Sequence, residues 1–196
     1  MSEGNMEEST RARIHRTAAE LFARNGYHAT GIAELSDAVQ LGRGALYYHI
    51  GSKESLLFEI SSGAINQLIP VAQGILLSNV TPTEKVHVLA RELMRNIAEL
   101  RAEWTVFFRE FPALTGERRT QVMQARESYE AIWWKILDEG ASTRDFIPVD
   151  SVVVKGLLGM FNYSYLWFNP TGDLTPDDIA DRFSEVLLNG IKIHNA

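Results

Sequence analysis

A chain of 196 residues with 45% hydrophobic and 22% charged side chains can bury a proper core, which excludes disordered and collagen-like polypeptides. The absence of cysteine excludes a thiolate nucleophile, a Cys-ligated zinc, an iron–sulfur cluster and any disulfide. The net charge of -6 argues against a nucleic-acid binder, a class that usually carries a basic footprint, although a total does not say where the charges sit.

Residues 1–8 read as a flexible tail, and no apolar signal-peptide core occurs in the first twenty positions, so the cytoplasm is the expected compartment. A first helix runs from Ser9 or Thr10 to Asn25, with Ile14, Ala18, Leu21 and Phe22 on one side and Gly26 as its stop. Thr30 is placed to cap a short second helix carrying Ile32, Leu35 and Val39. Gly42 and Gly44 bracket a turn, and a third short helix follows through Tyr47, Tyr48 and His49. Ser52 caps a long fourth helix through Leu56, Leu57, Ile60 and Ala64.

Thr81-Pro82-Thr83-Glu84 is a capping box with proline at the first helical position, ahead of an apolar stripe of Val86, Leu89, Leu93, Ile97 and Leu100. Pro112 breaks the next, aromatic-rich stretch, and Gly140 ends a helix holding Val122, Tyr129, Trp133 and Leu137. Asp150 caps a very apolar helix reaching to about Phe168. Thr175-Pro176-Asp177-Asp178 repeats the cap design ahead of Ile179, Phe183, Val186, Leu187 and Ile191. No segment alternates as a strand, so the fold class is all-α, with about nine helices. Ser151–Phe168 is short for a membrane span, holds Lys155 and Asn162 and lacks flanking basic clusters, so no membrane is expected as a partner.

Residues 9–55 are the informative part. Three helices, the last two short and joined by Gln40-Leu41-Gly42, fit a helix-turn-helix whose second member enters the major groove of DNA. In Arg43-Gly44-Ala45-Leu46-Tyr47-Tyr48-His49, Leu46 and Ile50 can face inward, leaving Arg43, Ala45, Tyr47, Tyr48 and His49 on the outside. Arginine suits guanine or phosphate, and tyrosine hydroxyls and histidine suit phosphate oxygens. Gly44 and Ala45 let the backbone approach closely, and Lys53 adds charge to a helix N-terminus. Taken singly, the tyrosine pair also reads as core packing, His49 as a surface or capping residue and Lys53 as an exposed helix start.

The run from Ala29-Thr30-Gly31-Ile32 through Leu41-Gly42-Arg43-Gly44-Ala45-Leu46-Tyr47-Tyr48-His49-Ile50-Gly51-Ser52-Lys53-Glu54-Ser55-Leu56 resembles the DNA-binding head of the tetracycline-repressor (TetR) family. Ala18-Ala19-Glu20-Leu21-Phe22 with Asn25-Gly26-Tyr27 is similar to that family's first helix. Ile50 stands where the family commonly has Phe, an apolar change off the DNA face. The resemblance implies DNA contacts from Thr30, Arg43, Tyr47, His49 and Lys53, with Gly44, Ala45 and Tyr48 near the bases. It also implies a head over 9–55 and a body over 56–196 that binds a small molecule and forms a homodimer. The expected function is a ligand-responsive repressor on a palindromic double-stranded operator.

In the body, aromatic residues crowd together. Trp104, Phe107, Phe108, Arg109, Arg126, Tyr129, Trp133, Phe161 and Tyr165 are the candidate ligand-binding residues, since aromatic-lined cavities are common ligand sites. Core or interface packing is the competing reading for each ring, and solvated surface charge for Arg109, Arg118, Arg119 and Arg126. The stretch from Trp104 to Trp133 is similar to TetR members controlling lipid or steroid breakdown, which implies an acyl-CoA or other lipid-derived effector. Gly156 and Gly159 permit close helix approach, and with Phe183, Leu187 and Ile191 they are the candidate dimer interface, unless both helices simply pack within one subunit.

No enzyme constellation is visible. His15, His28, His49, His87 and His194 form no H-E-x-x-H pair, no G-x-S-x-G elbow occurs, and Gly42-Arg43-Gly44 lacks the strand and third glycine of a dinucleotide fingerprint. No cofactor and no metal are expected. The rival to a regulator is a helical small-molecule-binding or adaptor protein without DNA affinity. Counted by region, residues 9–55 hold six basic and four acidic side chains, a balance of +2, so the acidity belongs to the tail and the body.

Overall fold

The computed structural model describes residues 9–191, and the tail expected over residues 1–8 lies outside them. The described residues form α1 (Thr10–Asn25), α2 (Ile32–Val39), α3 (Arg43–Ile50), α4 (Lys53–Leu76), α5 (Pro82–Glu99), α6 (Arg101–Arg109), a 3-10 turn (Phe111–Ala113), α7 (Gly116–Ser142), α8 (Ser151–Asn162), the single turn α9 (Ser164–Trp167) and α10 (Pro176–Ile191). The architecture is all-α. The apolar helix expected to reach Phe168 is interrupted at Tyr163, which separates α8 from α9.

The caps explain most of the boundaries. Ser9 Oγ accepts from the Ala12 N–H at 3.1 Å, and Ser52 Oγ accepts from the Ser55 N–H at 2.9 Å. Thr81 and Glu84 form a complete capping box, and Thr175 and Asp178 form its aspartate counterpart. Those same hydrogen bonds hold both carboxyl groups below their ordinary pKa range. Asp150 accepts from the Val152 and Val153 N–H groups at the start of α8.

The chain divides into two compact units. One contains the described residues up to Gly63 together with Ala102–Thr120, and the other contains Ala64–Arg101 with the residues from Gln121 onward. In the first unit, Ile14, Ala18 and Phe22 of α1, Leu35 and Val39 of α2, Leu46 of α3 and Leu57 of α4 are all buried. In the second, α5 lies along α10. Val86, Leu89 and Leu93 are buried on one, and Ile179, Leu187 and Leu188 on the other. Arg91 reaches both Asp181 oxygens at 2.7 and 2.9 Å, and Arg95 both Asp177 oxygens at 2.7 and 2.5 Å, so two guanidinium forks tie these helices along their exposed edge. Lys85 is buried, and its ammonium is fully met by the Leu76 carbonyl at 2.9 Å and the Glu139 carboxylate at 2.8 and 2.9 Å. Among the described residues, no helix is long and apolar enough to cross a membrane.

Gly140 does not end α7, which continues to Ser142. Its role is space: a Cβ there would lie 2.1 Å from the buried Phe146 ring. Gly140→Ala should therefore cost about 1–3 kcal/mol through overpacking, even though alanine is the better helix former. Urea denaturation showing equal or higher stability would contradict this account.

Candidate nucleic-acid interface

The turn between α2 and α3 is made by Gln40, which takes the left-handed conformation at φ 55° while the Leu41 N–H bonds the Ser36 carbonyl at 3.0 Å. Gly42 and Gly44, expected to bracket a turn, instead serve as the N-cap residue and the second residue of α3. On α3 only Leu46 and Ile50 are buried. Arg43, Gly44, Ala45, Tyr47 and Tyr48 are exposed, Tyr48 at 86% and Tyr47 at 45%. At 86% exposure the Tyr48 side chain contributes little to the core. His49 is half-buried with its ring edge-on to Tyr48 at 5.4 Å. The outer face of the helix is thus one cation, two small residues and two phenols, all reachable by DNA.

Thr30 departs from expectation twice. It has no exposed surface, and its hydroxyl donates to the Gly26 carbonyl at 2.9 Å, while Gly31 occupies the N-cap of α2 without a side-chain bond. Its work is to pin the α1–α2 connection, where Gly26 takes a positive φ of 89°. No DNA contact is available to its side chain in this conformation.

Lys53 opens α4 as expected, but its ammonium rests 4.4 Å from the centroid of the Tyr27 ring and 5.9 Å from that of Phe22. Burial pulls its pKa below the ordinary lysine range, with Glu34 acting the other way. Tyr27 in turn packs edge-on to Phe22 at 5.3 Å, and its backbone N–H donates to Glu110 Oε2 at 3.1 Å. Next along α4, Glu54 accepts from Arg118 Nη1 at 2.9 Å and from the Thr115 hydroxyl at 3.2 Å, and Arg118 Nη2 donates to Ser55 Oγ at 2.7 Å.

The start of α4 is therefore braced by residues some sixty positions downstream. By sequence Arg118 reads as one of several solvated arginines, Tyr27 enters only through the resemblance of the first helix, and nothing marks Glu110 or Thr115. No local pattern links such distant positions.

The candidate ligand residues fall into both units. In the first, Trp104 and Phe107 are buried and pack with Phe108 at 5.2, 5.5 and 4.9 Å between ring centroids, while Arg109 is exposed. In the second, Tyr129, Trp133 and Phe161 are buried, with the Trp133 and Phe161 rings 5.6 Å apart, and Arg126 and Tyr165 are half-buried.

Of the candidate dimer residues, Gly156 and Gly159 are exposed, and a Cβ at either would meet nothing within 4 Å. Leu187 and Ile191 are buried in the chain's own core, and Phe183 packs on Phe161 and Trp167. The exposed apolar surface lies elsewhere: Val152 and Tyr163 continue the glycine face of α8, and Val186 projects from α10.

Comparison with known proteins gives a consistent picture. Residues 14–60 match the bacterial regulatory proteins of the tetR family, and residues 79–191 match the tetracyclin repressor-like C-terminal domain. The HTH-type transcriptional repressor KstR2 of Mycobacterium tuberculosis is 26% identical over 187 residues, 93% of each chain. The TetR family regulator PfmR of Thermus thermophilus superposes with a TM-score of 0.84 at 29% identity, covering 90% of this chain and 97% of its own. AibR, solved in complex with isovaleryl coenzyme A and operator DNA, superposes with a TM-score of 0.81 at 27% identity, covering 92% and 98%.

Proposed function

The chain belongs to the TetR family of bacterial regulatory proteins, and from that premise we propose that it is a homodimeric transcriptional repressor released from a palindromic operator by a small molecule. The observation that carries this is the outer face of α3, where Arg43, Gly44, Ala45, Tyr47 and Tyr48 are all free of the core. KstR2 is a repressor, and AibR holds a CoA thioester together with its operator. Those two similarities support an acyl-CoA or related lipid-derived effector here. The proposed place of action is the cytoplasm, where the DNA is. A regulator rather than an enzyme is also what the sequence favours, since it lacks a catalytic constellation.

Two heads on one face of DNA read half-sites about 34–36 Å apart. An effector that prefers a wider arrangement shifts the equilibrium by its differential affinity, typically about 1–3 kcal/mol of coupling. The proposed transmitter is α4, which begins at the DNA-proximal Lys53 and runs to Leu76.

The test is binding to the promoter next to the protein's own gene, followed through a salt series. Arg11 and Arg16 are engaged with Glu59 and Glu20. With Arg43 and Lys53 taken as the phosphate contacts of each head, a dimer should neutralise about four phosphates and show a log–log salt slope near -4, shallow for this class. No retardation at low salt would favour the adaptor reading. Calorimetry with acyl-CoA esters and free fatty acids addresses the effector separately, and no heat from any of them would sink the acyl-CoA assignment.

A further inference from the structure

Tyr129 and Trp133 lie one helical turn apart on α7, so their side chains share a face. Both are shut off from solvent, at 4% and 0% exposure. Neither the Tyr129 hydroxyl nor the Trp133 indole Nε1 has a hydrogen-bond partner, a state that few buried polar groups in folded proteins occupy. The indole N–H is close enough to the hydroxyl to favour its ionised form, but the two do not meet in hydrogen-bond geometry. Burial dominates and keeps the phenol protonated far above the ordinary tyrosine range. Two buried donors thus converge with no acceptor from any other residue in hydrogen-bond geometry.

Packing does not require this. Phenylalanine at 129 would fill the same volume and leave no hydroxyl unmet. The surroundings are aromatic: Trp133 packs on Phe161, and Phe161 packs on Phe183 at 5.4 Å. The buried Ser184 hydroxyl, next to Phe183, is also unpartnered. The charge that acts on the Tyr129 hydroxyl is the Glu92 carboxylate. That carboxylate is itself paired with Arg95 at 2.9 Å, and burial among aromatic rings favours an uncharged acceptor over an anionic one.

We propose that Tyr129 and Trp133 form the recognition point for one neutral carbonyl oxygen of the effector, carried on an otherwise apolar body. This rests on the reading of the chain as a ligand-responsive regulator and deepens it by naming the group recognised. A thioester, an ester and a ketone all present that oxygen; a hydrocarbon and a thioether do not. Effector entry must open the aromatic packing around Trp133, which offsets part of the binding energy and makes the oxygen contact decisive for which molecules enter.

The experiment uses the full chain and two probe pairs that differ only in the oxygen. One pair is isovaleryl-CoA and its thioether S-isopentyl-CoA, and the other is 2-tridecanone and tridecane. Calorimetry gives each affinity for the wild type and for Tyr129→Phe, and thermal melting gives the stability of both ligand-free proteins. The carbonyl member of a pair should bind the wild type at least about tenfold tighter than its partner, and Tyr129→Phe should bring that ratio to within about threefold. The ligand-free variant should melt at the same temperature or higher, because it loses an unmet hydroxyl.

If only the ketone pair shows the ratio, the acyl-CoA reading fails and the carbonyl site stands. If probes bind without regard to the oxygen, or the ratio survives in Tyr129→Phe, the carbonyl site is overturned while the effector reading stands. Binding of no probe to the wild type overturns it as well.

Discussion

Tyr47→Ala should lower operator affinity roughly tenfold for each half-site and about a hundredfold for a dimer, since each lost hydrogen bond to a charged phosphate is worth about 1.5 kcal/mol. The residue sits beside the buried Leu46 on α3, so its backbone position is fixed by the core while its ring is 45% exposed. That combination gives a side chain whose position is set by the helix while a large part of its ring stays open to a partner. Melting temperature, dimer mass and effector affinity should therefore remain those of the wild type. Tyr47→Phe divides the effect between ring and hydroxyl: a phosphate contact predicts that most of the loss appears already in the phenylalanine variant. Wild-type operator affinity in Tyr47→Ala, measured by fluorescence anisotropy at low salt, would remove α3 from the interface.

The same helix shows why so much of the head was legible in the sequence. Leu46 and Ile50 are four apart, and that spacing alone assigns the inner and outer faces of a two-turn helix. The cap residues Ser52, Thr81, Asp150 and Thr175 carry equally local signals, and each makes the bond that its position implies. Thr30 did not yield to the same logic. A threonine ahead of a helix looks like a cap, yet burial redirected its hydroxyl to Gly26, and only the packing of α1 against α2 decides that.

Long-range pairings were out of reach for the same reason. Arg118 meets Glu54 across 64 positions and Glu110 meets Tyr27 across 83, so nothing in either neighbourhood announces its partner. On α10 the periodic stripe marks an apolar face, but the spacing does not say what covers it. Leu187 and Ile191 are buried within the chain's own core. Periodicity reports that a face is buried and is silent on what buries it.

Gly156→Glu separates burial within the chain from burial against a partner. In the single chain a side chain at 156 enters open space, and replacing a mid-helix glycine should stabilise α8 slightly, by about 0.5 kcal/mol or a little more. In a dimer built on the α8 face, the new carboxylate would be forced against Val152, Gly159, Tyr163 and their symmetry mates, an apolar surface. An uncompensated buried charge costs about 3–5 kcal/mol, and a two-fold interface carries it twice. The variant should therefore fold at least as well as the wild type and yet sediment as a monomer at micromolar concentration.

Operator binding should fall by more than a hundredfold with it, because a lone head reads one half-site and loses the tethered second contact. The opposite signs on folding and on assembly make the experiment specific, since simple misfolding would lower both together. Val152→Asp, at a position 72% exposed, should reproduce the dissociation without touching the protomer core. A Gly156→Glu protein that remains dimeric would place the interface off α8, and the exposed valine–glycine–tyrosine face would then need another occupant.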